Sequence, residues 1–357
     1  MENTTTAVIQ EGGRTVGVDL SDKYSQVCVL DAAGDVIDEG RVRTTEAGLR
    51  NRFGSMPPAR VIIEVSGHSP WVSRLLKDLG HDCIVANPRR VRAIAESNKK
   101  NDRVDAETLA RLGRADPALL SPIEHRSQQA QAHLALIHSR RALVASRTMF
   151  INRSRALAKS FGVFLPRTDA RSFPHKVALH VPEQLGAAIT PLLRMVVNLN
   201  EEIGALDRQL ETLITQHYPR AKILQQVPGV GPLISLTYVL TLADPYRFQT
   251  SRQVGAYLGL VPRQRSSGDS RPELGITKEG NIYMRQLLVN GAHYVLGPHG
   301  PDTQLRRWGL AKAEGGKNAK KRAIVAVARK LAVLLHRLWL TGEVYAGLPG
   351  KEAATVA

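Results

Sequence analysis

The sequence predicts a mixed α/β domain followed by a largely helical remainder, and three observations carry that reading. Short apolar runs bounded by turn residues fill the N-terminal part. From about residue 125 onward the apolar period lengthens to that of helices. Acidic residues close two of the early apolar runs, Val16-Gly17-Val18-Asp19 and Val61-Ile62-Ile63-Glu64.

The elements follow in order. Strands are expected at Thr15–Asp19, Tyr24–Leu30 and Val36–Arg43, because Ser21-Asp22 and Ala32-Ala33-Gly34-Asp35 punctuate the runs. A short helix over 45–53 leads to a strand over 60–65. A helix over 70–79 precedes a strand at Asp82–Ala86, which stops at Asn87-Pro88. Three strands, helix, strand, helix, strand is the ribonuclease H-like order, with acids at the ends of the first and fourth strands. A doubly wound nucleotide-binding domain competes, but no glycine-rich phosphate loop follows the first strand.

Residues 125–161 lack proline and carry Leu134, Leu136, Leu143 and Val144 at helical spacing. A second apolar-periodic helix over 182–217 contains Leu192, Leu193, Val196, Val197, Leu199, Ile203, Leu206, Leu210 and Leu213. The pair suggests an antiparallel hairpin or coiled-coil arm, the alternative being helices packed in a globular core. An arm of this kind implies self-association, because a projecting apolar seam needs a partner. Residues 218–346 form a third, mostly helical region. The expected domains are 12–123, 124–217 and 218–346, with disordered tails at 1–11 and 347–357.

The composition narrows the partners. The chain has 357 residues and a net charge of +17, with 49 Lys+Arg against 32 Asp+Glu. A polyanion is the simplest ligand for such an excess, since neutralising phosphates releases counterions. Only Cys28 and Cys83 are present, each inside an apolar run, where they read as small hydrophobes rather than metal ligands. The polar N-terminus has no hydrophobic signal core and no apolar stretch is long enough to span a bilayer, which fits a cytoplasmic protein.

Asp19, Glu64, Asp102 and Asp105 are the candidate metal ligands. The last two stand three apart at a helix start, Asn101-Asp102-Arg103-Val104-Asp105, so they share one face. Hard cations such as Mg²⁺ or Mn²⁺ take a few oxygen ligands and leave positions for water and phosphate. Glu107 falls on another face, and Asp22 reads as a turn residue.

Cationic candidates lie downstream. Arg140, Arg141, Arg147, Arg153 and Arg155 stud the first long helix and are assigned to RNA or DNA backbone contact. Val227-Pro228-Gly229-Val230-Gly231-Pro232 has the form of a helix-hairpin-helix turn, in which Gly229 and Gly231 let backbone amides reach a phosphate. A tight joint between packed helices is the alternative there. Gly259-Leu260-Val261-Pro262-Arg263-Gln264-Arg265-Ser266-Ser267-Gly268 is a loop with two arginines, and Lys278 follows it. From the residues alone a phosphate-binding loop and a serine nucleophile both stand, since serine needs a base or metal for activation. Ten basic residues between 305 and 337 face a single acid, Glu314. Lys317, Lys320, Lys321 and Arg322 precede an apolar helix over 323–340, as a phosphate clamp or a solvated basic face.

Across nearly its whole length the chain resembles the DEDD-type transposases of the insertion-sequence family numbered 110, which join a RuvC-like domain to a C-terminal serine-bearing domain. The matching pieces are Gly17-Val18-Asp19, Ile63-Glu64-Val65-Ser66-Gly67, Asn87-Pro88, Lys100-Asn101-Asp102-Arg103-Val104-Asp105-Ala106, Pro228-Gly229-Val230-Gly231, Gly259-Leu260-Val261-Pro262, Ser267-Gly268 and Thr277-Lys278-Glu279-Gly280-Asn281. The resemblance implies that Asp19, Glu64, Asp102 and Asp105 form the metal-binding tetrad and that Ser267 is the nucleophile, with Ser266 and Ser270 as neighbours. It also implies a covalent phosphoserine link to DNA and a composite site between subunits. Double-stranded DNA at the element ends and target, a structured guide RNA, and dimers joining into tetramers are its implied partners. A RuvC-like nuclease or junction resolvase using activated water is the alternative enzyme, and a non-catalytic basic nucleic-acid-binding protein is a third reading.

Overall fold

The computed structural model describes residues 13–89, 91, 101–264 and 274–347, and the chain divides into two compact units, Met1–Ser127 and Gln128–Ala357. The terminal stretches 1–11 and 348–357, for which disorder is expected, lie outside the described residues.

The first unit contains β1 (Thr15–Asp19), β2 (Tyr24–Leu30), β3 (Val36–Arg43), α1 (Glu46–Phe53), β4 (Arg60–Glu64), α2 (Ser69–Asp78), β5 (Asp82–Ala86) and α3 (Asp102–Ala115). The sheet order is β3-β2-β1-β4-β5, with β1 antiparallel to β2, β2 antiparallel to β3, and β4 parallel to both β1 and β5. That meander is incompatible with the doubly wound alternative and fits a ribonuclease H-like domain.

The central strands are covered on both faces, which is why they read as unbroken apolar runs. Side chains alternate across a strand. Val16, Val18, Val61 and Ile63 therefore pack with Leu49, Phe53, Leu75 and Leu76 of α1 and α2. Ile62 on the opposite face meets Leu109 of α3, and Cys28 and Leu30 meet Ala106 and Ala110. Two glycines allow α3 this close. A Cβ on Gly17 would overlap the Ala106 carbonyl oxygen, and one on Gly113 would overlap the Ile62 side chain. Both cysteines are free and buried, and burial pushes the thiol of Cys28 up to about 11 and that of Cys83 up to about 12.

The second unit is helical: α4 (Gln128–Ser160), α5 (Phe173–Ala178), α6 (Gly186–His217), α7 (Pro219–Leu224), α8 (Pro232–Leu242), α9 (Ser251–Tyr257), α10 (Ile282–Leu296), α11 (Gln304–Ala313) and α12 (Lys317–Thr341). Helices α4 and α6, each about 48 Å long at 1.5 Å per residue, pack in opposite directions. His133 meets Tyr218, Arg140 meets Asp207, Arg147 meets Asn200, and Ala158 joins a small core with Ile189. On α6 the seven-residue series Ile189, Val196, Ile203 and Leu210 is buried. The corresponding series on α4 (His133, Arg140, Arg147 and Ser154) is polar. The hairpin therefore mixes an apolar seam with a hydrogen-bonded one.

The remaining helices enclose the larger core, which includes Leu236, Leu240, Leu288, Leu331 and Leu335. Tyr238 is fully buried, and its hydroxyl donates to the Ala332 carbonyl at 2.6 Å. Helix α12 begins at Lys317 rather than 323. The stop is Gly315-Gly316, both at positive φ, and Ala319, Lys320, Lys321 and Arg322 are good helix formers. Among the described residues no helix is long and apolar enough to cross a membrane.

Candidate metal centre and nucleic-acid contacts

Strand alternation sets the acidic site. Asp19 shares a face with Gly17, and Glu64 shares a face with Ile62, so both carboxylates fall on the side covered by α3. The β1–β4 register pairs Val18 with Ile63, which puts Asp19 and Glu64 at adjacent strand ends. Helix α3 supplies the other acids from its first turn. Its N-cap is Asn101, whose side chain accepts a hydrogen bond from the Arg103 amide at 3.1 Å. Arg103 pairs with Glu39 on β3 and steadies the same turn.

The close α3–β1 contact at Gly17 brings three of the acids together. Ligand oxygens of Asp19, Asp102 and Asp105 all lie within 4.8 Å of one another. Glu64 ends the neighbouring strand and falls outside that triplet. Three carboxylates at this separation repel one another unless a cation lies between them. The helix N-terminus offsets part of that repulsion. An all-oxygen donor set at a partly open strand end suits a hard divalent cation. Behind Glu64, the loop is tied by Ser66, whose hydroxyl accepts from the Ser69 and His68 amides at 3.2 and 3.3 Å. His68 in turn meets Asp22 at 3.2 Å and receives the Trp71 indole N–H, also at 3.2 Å.

The serine-bearing motif divides differently. Ser267 and Arg265 lie outside the described residues, as do Ser266 and Ser270, but both feet of their segment are described. Arg263 N donates to Gly275 O, Thr277 N to Val261 O and Lys278 N to Gly259 O, at 2.9–3.1 Å. The motifs 259–262 and 277–281 are thus clamped together. A Cβ on Gly259 would overlap the Glu279 backbone, and one on Gly280 would overlap the Tyr257 carbonyl. Arg285, only 9% exposed, donates to the carbonyls of Leu258, Lys278 and Glu279. Sequence reasoning missed Arg285. Its only signal was a cation within an otherwise apolar stretch of α10.

The structure sorts the cationic candidates. Arg140 donates to both carboxylate oxygens of Asp207 at 2.5 and 3.2 Å, and its side chain is 18% exposed. Arg147 donates to Asn200 Oδ1 at 2.8 Å. Arg155 reaches the Pro166 carbonyl and lies 5.3 Å from the Phe173 ring. These three are held within the hairpin packing. Arg141 lies over the Tyr283 ring at 4.6 Å and bonds Gln286, whereas Arg153 is exposed. Gly229, at φ +84°, has its Cβ position 2.8 Å from the Gly291 carbonyl, so it forms a close joint between helices; the space beside Gly231 is open. Arg263, Lys278, Lys320, Lys321 and Arg322 are on the surface of the second unit. Lys317 is the first residue of α12.

The DEDD transposase profile of the IS110 group matches residues 16–162, and the profile of the transposase IS116/IS110/IS902 family matches residues 221–306. The transposase for insertion sequence element IS1111A of Coxiella burnetii is 31% identical over 93% of this chain and 91% of its own length. A probable family 20 transposase of Pseudomonas aeruginosa is 30% identical, over 88% of this chain and 92% of that one. A pilin gene-inverting protein of Moraxella bovis is 26% identical over 72% of each chain.

Proposed function

The chain belongs to the IS110 family of insertion-sequence transposases, and from that premise we propose that Asp19, Glu64, Asp102 and Asp105 hold its catalytic metal while Ser267 supplies the nucleophile. As a member of the family it recombines DNA, binds DNA as substrate and uses a divalent metal. The observation that carries the reading is the three-acid group within 4.8 Å, built from β1 and α3. Glu64 at the adjacent strand end completes the ligand set when the cation, Mg²⁺ or Mn²⁺, is bound.

That cation supplies Lewis-acid polarisation of the scissile phosphate and offsets charge on it. The chain's own part is the transfer. The Ser267 oxygen loses its proton and bonds to phosphorus, the bond to the departing sugar oxygen breaks, and that oxygen takes up a proton. A second sugar hydroxyl then attacks the phosphoserine, restoring the serine and sealing the new junction. One phosphodiester is exchanged for another, so no external energy source is consumed.

Double-stranded element ends and target are the DNA substrates in this reading, and an element-encoded RNA selects them by base pairing. The α4–α6 hairpin serves as a coiled-coil arm for dimers and tetramers, in which acids and serine of different subunits act together. Exposed Arg141 and Arg153, the amides at Gly229 and Gly231, and Arg263, Arg265, Lys278, Lys317, Lys320, Lys321 and Arg322 contact nucleic-acid phosphates.

The test is incubation of the full-length protein with element-end DNA, the element-encoded RNA and Mg²⁺, followed by denaturing electrophoresis. A covalent protein–DNA adduct is expected, absent from Ser267→Ala and from Asp105→Ala. Cut ends without any adduct, or an adduct that survives Ser267→Ala, overturns the serine assignment and points to hydrolysis by water.

A further inference from the structure

Between α9, α11 and α12 lies a groove of about 1960 Å³ within the second unit. This is about twice the upper size of a small-molecule site, as expected for a polymeric ligand. Pro262, Leu274, Gly275 and Ile276, the feet of the serine-bearing segment, form part of its wall. Eight Lys/Arg side chains line it against one acid, Glu343. That acid is exposed and already pairs with Arg337 at 3.2 Å.

The cations are ordered. Arg322, Arg329, Lys330 and Arg337 recur at seven- or eight-residue spacing, so they form a stripe along one face of α12. At 1.5 Å per residue the stripe is about 22 Å long. The floor beside it is apolar: Leu305, Trp308, Val325 and Leu334 all face the cavity. Trp308 sits beneath the ammonium of Lys330 at 3.9 Å and that of Lys312 at 5.4 Å. Both ammonium groups ride on flexible stems and can turn to phosphates while a flat group takes their place on the ring.

A duplex presents phosphates outward and keeps its bases stacked inside, so it has no use for an apolar floor. An unpaired strand uses both features, with phosphates on a cationic rim and bases stacked below. We propose that this groove binds a single-stranded polynucleotide, holding the unpaired strand that leads to the serine-bearing segment. The proposal deepens the reading above and rests on it for the strand's destination, but not for the binding itself.

The experiment uses full-length Ser267→Ala protein without divalent metal, so that nothing is cut. Fluorescence anisotropy measures affinity for an oligonucleotide of about 12 nucleotides, as single-stranded DNA, as RNA of the same sequence and as duplex, over a series of salt concentrations. Trp308→Ala is expected to weaken single-strand binding about tenfold and duplex binding much less. The paired variant Arg329→Gln/Lys330→Gln, both exposed, is expected to reduce the single-strand salt slope by about 1.4 and serves as the second variant should Trp308→Ala misfold. Preference between the DNA and RNA strands identifies the natural source. Equal losses on duplex and single strand, or unchanged single-strand affinity in the paired variant, overturn the proposal. Covalent adduct formation, measured with metal in protein that keeps Ser267, is a separate readout, so failure of the serine chemistry and failure of the groove are distinguishable.

Discussion

Residues 1–127 contain 18 Lys/Arg and 18 Asp/Glu, whereas residues 128–357 contain 31 and 14, so the whole excess of +17 belongs to the second unit. The first unit is electrically balanced, and three of its acids, Asp19, Asp102 and Asp105, gather where α3 meets β1. The second unit is a cationic surface, suited to a polyanion, on a helical frame. The acidic group and the cationic excess therefore lie in different parts of the chain, and the serine proposed as nucleophile, Ser267, is on the cationic side of that division. An acidic site repels phosphate until a cation fills it, and a separate cationic surface brings the substrate near without competing for that cation.

The comparison breaks first at the acids. Asp19→Ala or Asp105→Ala is expected to lower strand transfer by about 10³-fold, the several-kcal/mol scale of a lost metal, with DNA affinity nearly unchanged. Parallel loss of affinity in a filter-binding titration would show that the acidic unit does carry binding.

Packing behind the acids comes next. Gly17→Ala pushes a methyl into the backbone of Ala106 and Ala110, and is expected to cost about 1–3 kcal/mol in chemical denaturation while moving Asp102 and Asp105 away from Asp19. Gly40→Ala, with nothing within 4 Å of its Cβ position, is the control and should leave both stability and transfer unchanged. Equal effects of the two substitutions would remove the packing account.

Within the second unit the arginines divide. Arg140→Met removes the partner of Asp207 and is expected to cost about 1 kcal/mol of stability, a modest figure because Asp207 is half exposed, without altering the salt dependence of DNA binding. Arg153→Ala should do the reverse, lowering the slope of log affinity against log salt by about 0.9 at constant stability. Equal slopes for both variants would return Arg140 to the binding surface.

The smallest expected effect is a pH dependence at the base of the hairpin. Burial, and then the neighbouring His217, hold His133 below its ordinary value. Its ring lies 5.4 Å from His217 and bonds the Tyr218 hydroxyl at 2.8 Å. The unfolded chain takes up this proton more readily, so the contribution is present above about pH 6.5 and is lost as pH falls through the lower folded value. Urea midpoints compared at about pH 7.5 and about pH 5.5 should differ less in His133→Gln than in the parent. An identical difference in both would place the effect elsewhere.

Much of the first unit was legible because a strand covered on both faces must be apolar throughout, and turn residues bracket each run. Elements there start and stop within a residue of expectation. The helix expected over 323–340 begins six residues earlier, at Lys317, because lysine extends a helix readily. The bonds that hold Arg140, Arg147 and Arg155 within the hairpin are not legible in sequence, because cations at helical spacing look alike there whether they face solvent or a partner helix. Arg285 has no role legible in sequence, and the basic residues over 305–337 do not show there that four of them form a stripe, because both depend on carbonyls and an apolar floor supplied from elsewhere in the chain.

The linear order of residues by itself determined the strand succession, the placement of carboxylates at two strand ends and one helix start, and the sign of the ligand, since each follows from local period and composition. Tertiary structure alone decided which acids meet, and which cations are taken up by packing and which line a groove. Those outcomes depend on partners that stand far apart in the chain, 67 positions for Arg140 and Asp207, whose approach is set by the fit of whole helices and, for the acids, by the absence of a methyl group at Gly17.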